Sequence, residues 1–273
     1  HSAFSDGHVW PNLRVAEAVR DGIDLLAITE HLELQPHKND IPHEDRNRAF
    51  EIAKDSAVDE NLIVINGTEI TRKFPPGHIN AVFVKDANKL IRIDRSKQPE
   101  VDQFIDSLPK DLIQDYIDEP WLNDGVLAAM WPIEETLMEA KNQDAFVFWN
   151  HPAWSSEEES SDKLLHEIHI DLFNQNLIHG IEVVNGIWFS DEAFQIAIDY
   201  DLTIMGTSDV HGLIDWDYLQ RPNGHRSVTL ILSKDRTEES IKEALFNGRT
   251  VVWYKNNLIG KNENILEIIE ACL

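Results

Sequence analysis

The sequence predicts an α/β fold made of repeated strand–helix units. Seven short apolar runs rich in β-branched residues recur along the chain. They are mostly continuous rather than alternating, which is typical of parallel strands buried on both faces. Between them lie segments whose apolar residues recur at helical spacing. Such units over about 250 residues indicate an α/β barrel or an open doubly wound sheet.

The elements follow one another in the order strand, loop, helix. The predicted strands are Leu25–Thr29, Leu62–Ile65, Ile79–Val84, Ala145–Trp149, Ile181–Val184, Leu202–Met205 and Ser227–Leu232. The predicted helices are Pro11–Arg20, His43–Val58, Pro132–Lys141, Asp162–Leu172, Asp191–Tyr200 and Thr237–Asn247. Ser161 and Ser190 precede two of these helices and are candidate N-caps, because a serine side chain can accept a hydrogen bond from the first turn.

Residues 86–131 depart from the pattern. They contain Pro99, Pro109 and Pro120, and we expect an irregular insertion. A further strand is expected upstream of His1 to begin the series. Residues 256–273 predict a polar turn followed by a short amphipathic helix. The predicted domains are therefore a barrel over residues 1–255 and a helical tail over residues 256–273.

Composition limits the classes of partner. The 273 residues include 24 Lys and Arg against 49 Asp and Glu, a formal net charge of −25 at pH 7. Such a surface repels long nucleic acids and anionic lipid. The sequence has no apolar run long enough to predict a membrane-spanning helix, and its single cysteine, Cys272, excludes an intrachain disulfide. The compartment is either the cytoplasm or, if a leader was removed before His1, an exported location.

Imidazoles and carboxylates follow one predicted strand after another. The residues at these strand ends are His31, Glu69, His151, Asp209 and His211. In a parallel barrel the C-terminal strand ends converge on the rim that holds the active site, so we expect these side chains to approach each other. Three further polar residues are expected to join them: His1, Asp6 and His78.

This donor set predicts a metal cluster. Imidazoles and carboxylates without cysteine are the ligands of Zn, Mn or Fe. One four-coordinate ion needs about three or four protein ligands, so eight candidates predict two or three ions. Glu69 can bridge two ions, and neighbouring ions can share a hydroxide. For a single histidine a capping, surface or core role is the alternative, and on that ground seven are set aside: His8, His37, His43, His166, His169, His179 and His225.

Five motifs in order resemble the PHP family (polymerase and histidinol phosphatase). HSAFSDG resembles the second half of the family's first motif, HxHSxxSDG, and AITEH resembles its TDH motif, with Glu30 in place of the commoner Asp. NGTEIT followed by GHINAVFV resembles the Glu-then-His segment, WNHP the HP motif and GTSDVH the SDxH motif. The late segment IKEALFNGRT resembles the closing helix-turn. The resemblance extends from His1 to about Thr250.

The resemblance implies a distorted (β/α)7 TIM-like barrel, with its first strand largely upstream of His1, and metal-dependent phosphoester hydrolysis. It implies three ion sites, held by His1, Glu69 and Asp209; by Glu69, His78 and His151; and by Asp6, His31 and His211. The family's first motif has a further histidine two positions before His1, which this chain does not reach. Glu30 is interpreted as a support for the ligands, and a solvated carboxylate is the alternative.

The metal ions would supply the nucleophile, a bound hydroxide, so no side chain is singled out as catalytic. Arg72 is a candidate phosphate ligand, with a surface ion pair as the alternative. Arg221 and Arg226 are interpreted as members of surface ion pairs. Trp154 is the best candidate for stacking on a base or sugar, ahead of Trp188 and Trp216, and Trp149 is expected in the core.

Three functions are compared. The first is a phosphoesterase acting on small or terminal phosphate esters. The second is a metal-dependent hydrolase of other esters or amides, because a hydroxide held between ions also attacks carbonyl carbon. The third is a catalytically silent module, which predicts lost ligands, whereas all eight ligand positions are intact.

Overall fold

The computed structural model describes residues 1–218 and 225–273. The chain has a mixed α/β fold that divides into two compact units. The first unit comprises His1–Thr71 and Val84–Ala145, and the second comprises Arg72–Phe83 and Phe146–Leu273. Within the described residues, no helix has the length and apolar character needed to cross a membrane.

The first unit begins with two strands and two helices. In chain order they are α1 (Pro11–Arg20), β1 (Leu25–His31), α2 (Arg48–Ser56) and β2 (Ile63–Ile70). The two strands are parallel, with His31 opposite Glu69. Apolar residues of both helices and both strands, among them Val15, Ile28 and Ala53, form one buried cluster. This packing fixes the strands whose C-terminal ends carry the predicted ligands.

The rest of the first unit is mainly helical, where the sequence predicts an irregular insertion. Two short 3₁₀ turns, Ala87–Leu90 and Arg95–Lys97, precede four helices: α3 (Gln98–Asp106), α4 (Lys110–Asp118), α5 (Pro120–Ala129) and α6 (Ile133–Asn142). Pro99, Pro109 and Pro120 lie at the N-cap or in the first turn of three of these helices. Proline is tolerated there because its missing N–H has no intrahelical partner to lose. The expectation of irregular structure is wrong because these prolines start helices.

The second unit contains the remaining predicted strands. Its first elements are β3 (Ile79–Val82), β4 (Phe146–Trp149), α7 (Pro152–Glu158), α8 (Glu167–Asn174), β5 (Gly180–Asn185), β6 (Trp188–Phe189), α9 (Asp191–Asp199) and β7 (Thr203–Thr207). β4, β5 and β7 are parallel, whereas β3 is antiparallel to β4, with Ile79 opposite Trp149. The start of β3 therefore lies at the same edge as the end of β4. All four residues of β3 are buried, including the polar Asn80, so burial gives no signal of the direction of the strand.

A three-stranded antiparallel sheet completes the second unit. It is formed by β8 (Val228–Ile231), β9 (Thr250–Tyr254) and β10 (Asn257–Gly260), and the accompanying helices are α10 (Ile214–Asp217), α11 (Glu238–Phe246) and α12 (Asn262–Cys272). Ser190 caps α9 as predicted, accepting a hydrogen bond from the Ala193 N–H at 3.1 Å. The prediction for Ser161 is wrong, because α8 begins at Glu167, six residues after Ser161, and His166 is its N-cap.

Candidate metal centre

In the first unit, β1 and β2 bring a histidine and a glutamate to one edge. Because the strands are parallel and His31 pairs with Glu69, both side chains lie where the strands end. The Leu32 N–H donates to the Glu69 carbonyl at 2.8 Å, which extends the pairing by one residue. Both His31 and Glu69 are buried.

The N-terminal loop adds His1 and Asp6 to this pair. The His1 Nε2 atom lies 3.0 Å from the Glu69 Oε2 atom, and the His31 Nε2 atom lies 3.4 Å from the Asp6 Oδ2 atom. The rings of His1 and His31 stack with centroids 4.5 Å apart. One ligand atom from each of His1, Asp6 and His31 lies within 4.8 Å of the other two. The structure thus brings together the four predicted ligands of the first unit.

Glycine allows this loop to close on itself. A side chain at Gly7 would place its Cβ 2.7 Å from the backbone carbonyl carbon of His1, closer than real Cβ contacts permit. The Gly7 N–H donates to the Ser2 carbonyl at 2.9 Å. The SDG segment of the first motif is therefore needed for a tight backbone turn as well as for its aspartate.

Glu30 supports the loop. Its buried carboxylate accepts hydrogen bonds through Oε2 from the Ser2 N–H at 3.0 Å and from the Ser5 hydroxyl at 2.5 Å. The Ser5 hydroxyl oxygen also lies 3.4 Å from Asp6 Oδ1. These contacts agree with the interpretation of Glu30 as a support, and its burial excludes a solvated carboxylate.

The charge on the first-unit cluster favours a cation. Burial works to lower the pKa of His31, but the Glu69 carboxylate and the hydrogen bond to Asp6 outweigh it and leave the pKa raised above 6.5. The nearby imidazole of His1 opposes this rise. Two imidazoles beside two carboxylates form the nitrogen and oxygen donor set that first-row divalent metals prefer, so these residues fit such an ion.

The second unit also gathers its four predicted ligands at one strand edge. His151 follows β4, Asp209 and His211 follow β7, and His78 immediately precedes the antiparallel β3. The rings of His78 and His151 lie 4.9 Å apart, and His151 Nε2 lies 3.9 Å from Asp209 Oδ2. His78 reaches this edge because β3 runs in the opposite direction to β4.

Three of the candidate ligand histidines have their Nδ1 atoms within hydrogen-bond distance of protein oxygens. His31 Nδ1 lies 2.6 Å from the Thr71 hydroxyl, and His151 Nδ1 lies 3.1 Å from the Ser155 hydroxyl. His211 Nδ1 lies 2.9 Å from the backbone carbonyl of Asp209, which can only accept, so this nitrogen donates. In a neutral ring the other nitrogen, Nε2, then carries the lone pair that a metal binds.

Glu182 supports the candidate centre of the second unit and was missed by the sequence interpretation. It lies fully buried in β5 and accepts hydrogen bonds from the His151 N–H at 2.7 Å and from the Thr207 hydroxyl at 2.5 Å. Asn185 donates to Glu182 at 3.1 Å and to Asp209 at 3.2 Å, so one network holds both ligand loops. Burial and the nearby Asp209 raise the pKa of Glu182 to about 7, against the opposing effect of His151. The sequence signal that could have identified Glu182 is a charged residue within the apolar run of β5.

His169, in the same unit, is a core histidine and differs from the candidate ligands in its contacts. Its Nδ1 accepts from the His166 N–H at 3.0 Å, its Nε2 lies 2.9 Å from the Pro76 carbonyl, and its ring stacks on Trp149. Both nitrogens are used by the protein, which confirms the expectation of a core histidine. His43 differs from expectation, because it is half-buried and its ring lies 4.5 Å from that of Phe4 instead of being solvated.

The residues predicted to contact the substrate differ in how far their side chains are exposed to solvent. Arg72 is buried, which excludes the surface ion pair considered for it. Arg226 is also buried, so the same interpretation is wrong there, and Arg221 lies outside the described residues. Trp149 is fully buried as expected, whereas Trp154 is half-exposed beside the rings of the candidate ligands.

Comparison with solved structures gives a relative of substantial identity. A two-domain protein from Bacteroides vulgatus, which contains a predicted PHP-like metal-dependent phosphoesterase, is 37% identical, with a TM-score of 0.81. The match covers 100% of this chain and 68% of that protein. No protein-family model and no curated protein matches the sequence.

Two more distant structures share the fold. A protein from Bifidobacterium adolescentis, provisionally named a metal-dependent phosphoesterase, is 18% identical with a TM-score of 0.51, and the match covers 98% of this chain and 93% of that one. An amidohydrolase from Chromobacterium violaceum, with bound sulfate and no metal, is 16% identical with a TM-score of 0.50 over 83% and 88% of the two chains. At these identities the likeness shows the fold alone.

Proposed function

The chain belongs to the PHP family of metal-dependent phosphoesterases, and from that premise we propose that it hydrolyses small or terminal phosphate esters at a centre of two or three divalent metal ions. One observation carries the proposal. In each unit, imidazoles and carboxylates gather at a strand edge, and three of the histidines have Nδ1 engaged by protein atoms. Donors arranged in this way suit metal binding more than capping or surface roles.

We propose that all eight residues contribute to this centre, within a distorted (β/α)7 barrel. The assignment follows the family motifs: His1, Glu69 and Asp209 for one ion; Glu69, His78 and His151 for a second; and Asp6, His31 and His211 for a third. Zn, Mn and Fe all suit these donors. Residues 1–255 would form the hydrolase barrel and residues 256–273 its helical tail.

Bound divalent ions lower the pKa of water and neutralise phosphoryl oxygens. The chain's own residues orient the participants. Thr71 and Ser155 hold the rings of His31 and His151, and Glu182 holds the backbone N–H of His151. Arg72 is proposed to bind the phosphate through two N–H groups, a geometry that the planar guanidinium provides.

The charge of the ions limits which anions can bind. Three divalent ions and three carboxylates would leave a local charge of about +3. This charge can hold a small phosphate within a chain of net charge −25. We therefore propose a small-molecule ester as the substrate, and neither long nucleic acid nor a membrane as a partner.

The test measures metal content and hydrolysis together. Wild type, His151→Ala and His8→Ala are loaded with Mn²⁺ or Zn²⁺, desalted, and analysed for metal by elemental analysis. Each is then assayed on an aryl phosphate monoester and diester. His8 is exposed, so its variant is the matched control.

We expect two or three equivalents of metal in the wild type and in His8→Ala. In His151→Ala we expect at least one equivalent fewer, and activity reduced by more than about 100-fold, the upper end of the effect of losing an outer ligand partner. Near-zero metal in the wild type would refute the metal centre. Full metal occupancy without cleavage of either ester would refute the phosphoesterase proposal and favour other esters or amides.

A further inference from the structure

The three most exposed tryptophans of the chain occur at one strand edge of the second unit. Trp188, Trp216 and Trp154 are 75%, 60% and 50% exposed, against 43% for the next, Trp253. Each follows a different one of the parallel strands β5, β7 and β4. Their segments therefore leave the sheet at the edge that carries the candidate ligands.

Trp154 makes the closest connection to those ligands. It lies on α7, three residues after His151, and its ring packs edge-on to that imidazole with centroids 4.9 Å apart. Its ring centroid is also 5.8 Å from that of His78. One side of the indole thus contacts two candidate ligands, while half of its surface stays open to solvent.

The other two tryptophans are attached to the same loops. Trp188 pairs with Asn185, whose side chain donates to Asp209 at 3.2 Å. The ring of Trp216 covers Gly212, where an added Cβ would lie only 2.6 Å from it, and Gly212 directly follows His211. Tight packing on a glycine holds this indole in one place while 60% of it remains exposed.

Exposing three indoles is unfavourable unless they contact something in the working protein. Burying apolar area stabilises by about 25 cal/mol per Å², so large exposed aromatic surfaces mark binding sites. Indole faces stack on rings that present an apolar face.

We propose that the ester hydrolysed by this centre carries a ring with an apolar face, a nucleobase or a sugar, which stacks on Trp154 and is flanked by Trp188 and Trp216. This inference rests on the proposed function and names its substrate class. Stacking also suits the charge of the chain. It needs no additional cation, because only the phosphate of the substrate is charged.

The experiment separates ring recognition from hydrolysis. Values of kcat/KM are measured for a nucleoside 5′-monophosphate, a hexose 6-phosphate and glycerol phosphate, which has no ring. The variants are Trp154→Ala, Trp154→Phe and the control Trp253→Ala, an exposed tryptophan on β9. In parallel, tryptophan fluorescence reports the binding of a phosphate-free nucleoside and of a methyl hexoside to the metal-free protein.

For the preferred ring substrate we expect Trp154→Ala to lower kcat/KM by about 5- to 150-fold, the range for one stacked base. Trp154→Phe should keep most of the activity, and glycerol phosphate should be affected little. Whichever of the two ring substrates shows the loss identifies the source of the ring. An equal loss on glycerol phosphate would overturn the proposal, since Trp154 would then act only by packing on the histidines.

If the wild type cleaves none of these esters, the proposed function fails and the binding measurement decides the inference alone. Quenching by either phosphate-free ligand that is lost in Trp154→Ala but kept in Trp253→Ala supports the stacking site. Absence of quenching, or equal quenching in Trp154→Ala and wild type, refutes it.

Discussion

The hydrogen-bond partners of the ring nitrogens differ between the candidate ligand His211 and the core histidine His169. His211 donates from Nδ1 to a backbone carbonyl, whereas His169 has protein partners at both nitrogens. In the sequence, the one feature that marks a candidate ligand histidine is its position directly after a predicted strand. The structure adds a chemical reason, since donation from Nδ1 to a carbonyl fixes the tautomer in which Nε2 of a neutral imidazole carries the lone pair.

At the residue scale, the hydrogen bonds to Glu30 predict that its replacement by alanine lowers the free energy of unfolding. Glu30→Ala leaves the Ser2 N–H and the Ser5 hydroxyl buried without their acceptor, and an unsatisfied buried group costs about 1–3 kcal/mol. We expect urea denaturation of the metal-free protein to show a loss of about 2 kcal/mol or more. Glu30→Gln should lose less, because both hydrogen bonds reach the same oxygen, Oε2.

The control for this change is Glu60→Ala at an exposed glutamate, which should shift the free energy of unfolding by less than about 0.5 kcal/mol. If Glu30→Ala is as stable as Glu60→Ala, the carboxylate does not hold the loop.

At the element scale, the limits of sequence interpretation have specific physical causes. Seven strand positions were predictable because apolar runs mark them, whereas β6, β9 and β10 were not predicted. The candidate ligands were predictable because they stand at strand ends. The direction of β3 was not, since a short strand buried on both faces has the same pattern in either direction. Residues 98–129 were misread because proline both interrupts and initiates helices. Glu182 was missed because its partners come from distant parts of the sequence.

His169 connects α8 to the loop at Pro76, and its burial predicts a pH dependence of stability. Burial lowers the pKa of His169 to about 4, despite the hydrogen bond to the Pro76 carbonyl. The pKa of this histidine in the unfolded chain is about 6.5, so between pH 4 and pH 6.5 the unfolded chain binds the proton more readily than the folded protein does. The stabilising contribution of His169 is therefore fully present above pH 6.5 and decreases as the pH falls below that value. The expected contribution of this residue between pH 7 and pH 5 is a loss of about 2 kcal/mol.

This contribution is isolated by comparing variants. Glu182, with its pKa raised to about 7, changes stability in the opposite direction, so the wild-type curve sums both effects. The free energy of unfolding is measured for metal-free wild type and His169→Gln at both pH values. His169→Gln should be less stable at pH 7 but lose about 2 kcal/mol less on acidification. His8→Gln should keep the wild-type difference, and equal pH dependence in all three proteins would contradict the assignment.

Close packing between β7 and β9 predicts a second effect at this scale. A Cβ on Gly206 would lie only 2.4 Å from Val252 Cγ1, so Gly206→Ala overpacks the contact between these strands. We expect a loss of about 1–3 kcal/mol by urea denaturation. The double variant Gly206→Ala/Val252→Ala should lose less than the sum of the two single variants, because the smaller side chain makes room. Strict additivity would show that the contact is not the cause.

At the scale of the whole molecule, net charge and the candidate centre have opposite effects on anions. The formal net charge is −25, and acidic residues outnumber basic ones by 49 to 24. This field repels any polyanion that must approach over a wide surface. A metal centre acts over a short range, because salt screens charge beyond about 10 Å at 0.1 M. Under the proposed function, we expect this balance to favour anions small enough to enter the centre.

This balance leads to a test of partner choice. A duplex of about 20 base pairs, added at about 10 μM in 50 mM salt, should leave hydrolysis of a small aryl phosphate unchanged, because non-specific DNA binding depends on lysine and arginine contacts that release counterions. Inorganic phosphate should inhibit the same reaction competitively, since it presents the charge of the phosphoryl group without the bulk of a polymer. Single-stranded DNA of equal length is the control that shows whether strand ends or a flexible backbone, and not the duplex surface, cause any inhibition. Inhibition by the duplex that weakens as salt rises would mean that a local basic surface overrides the net charge, and terminal phosphates of nucleic acids would then become the first substrates to assay.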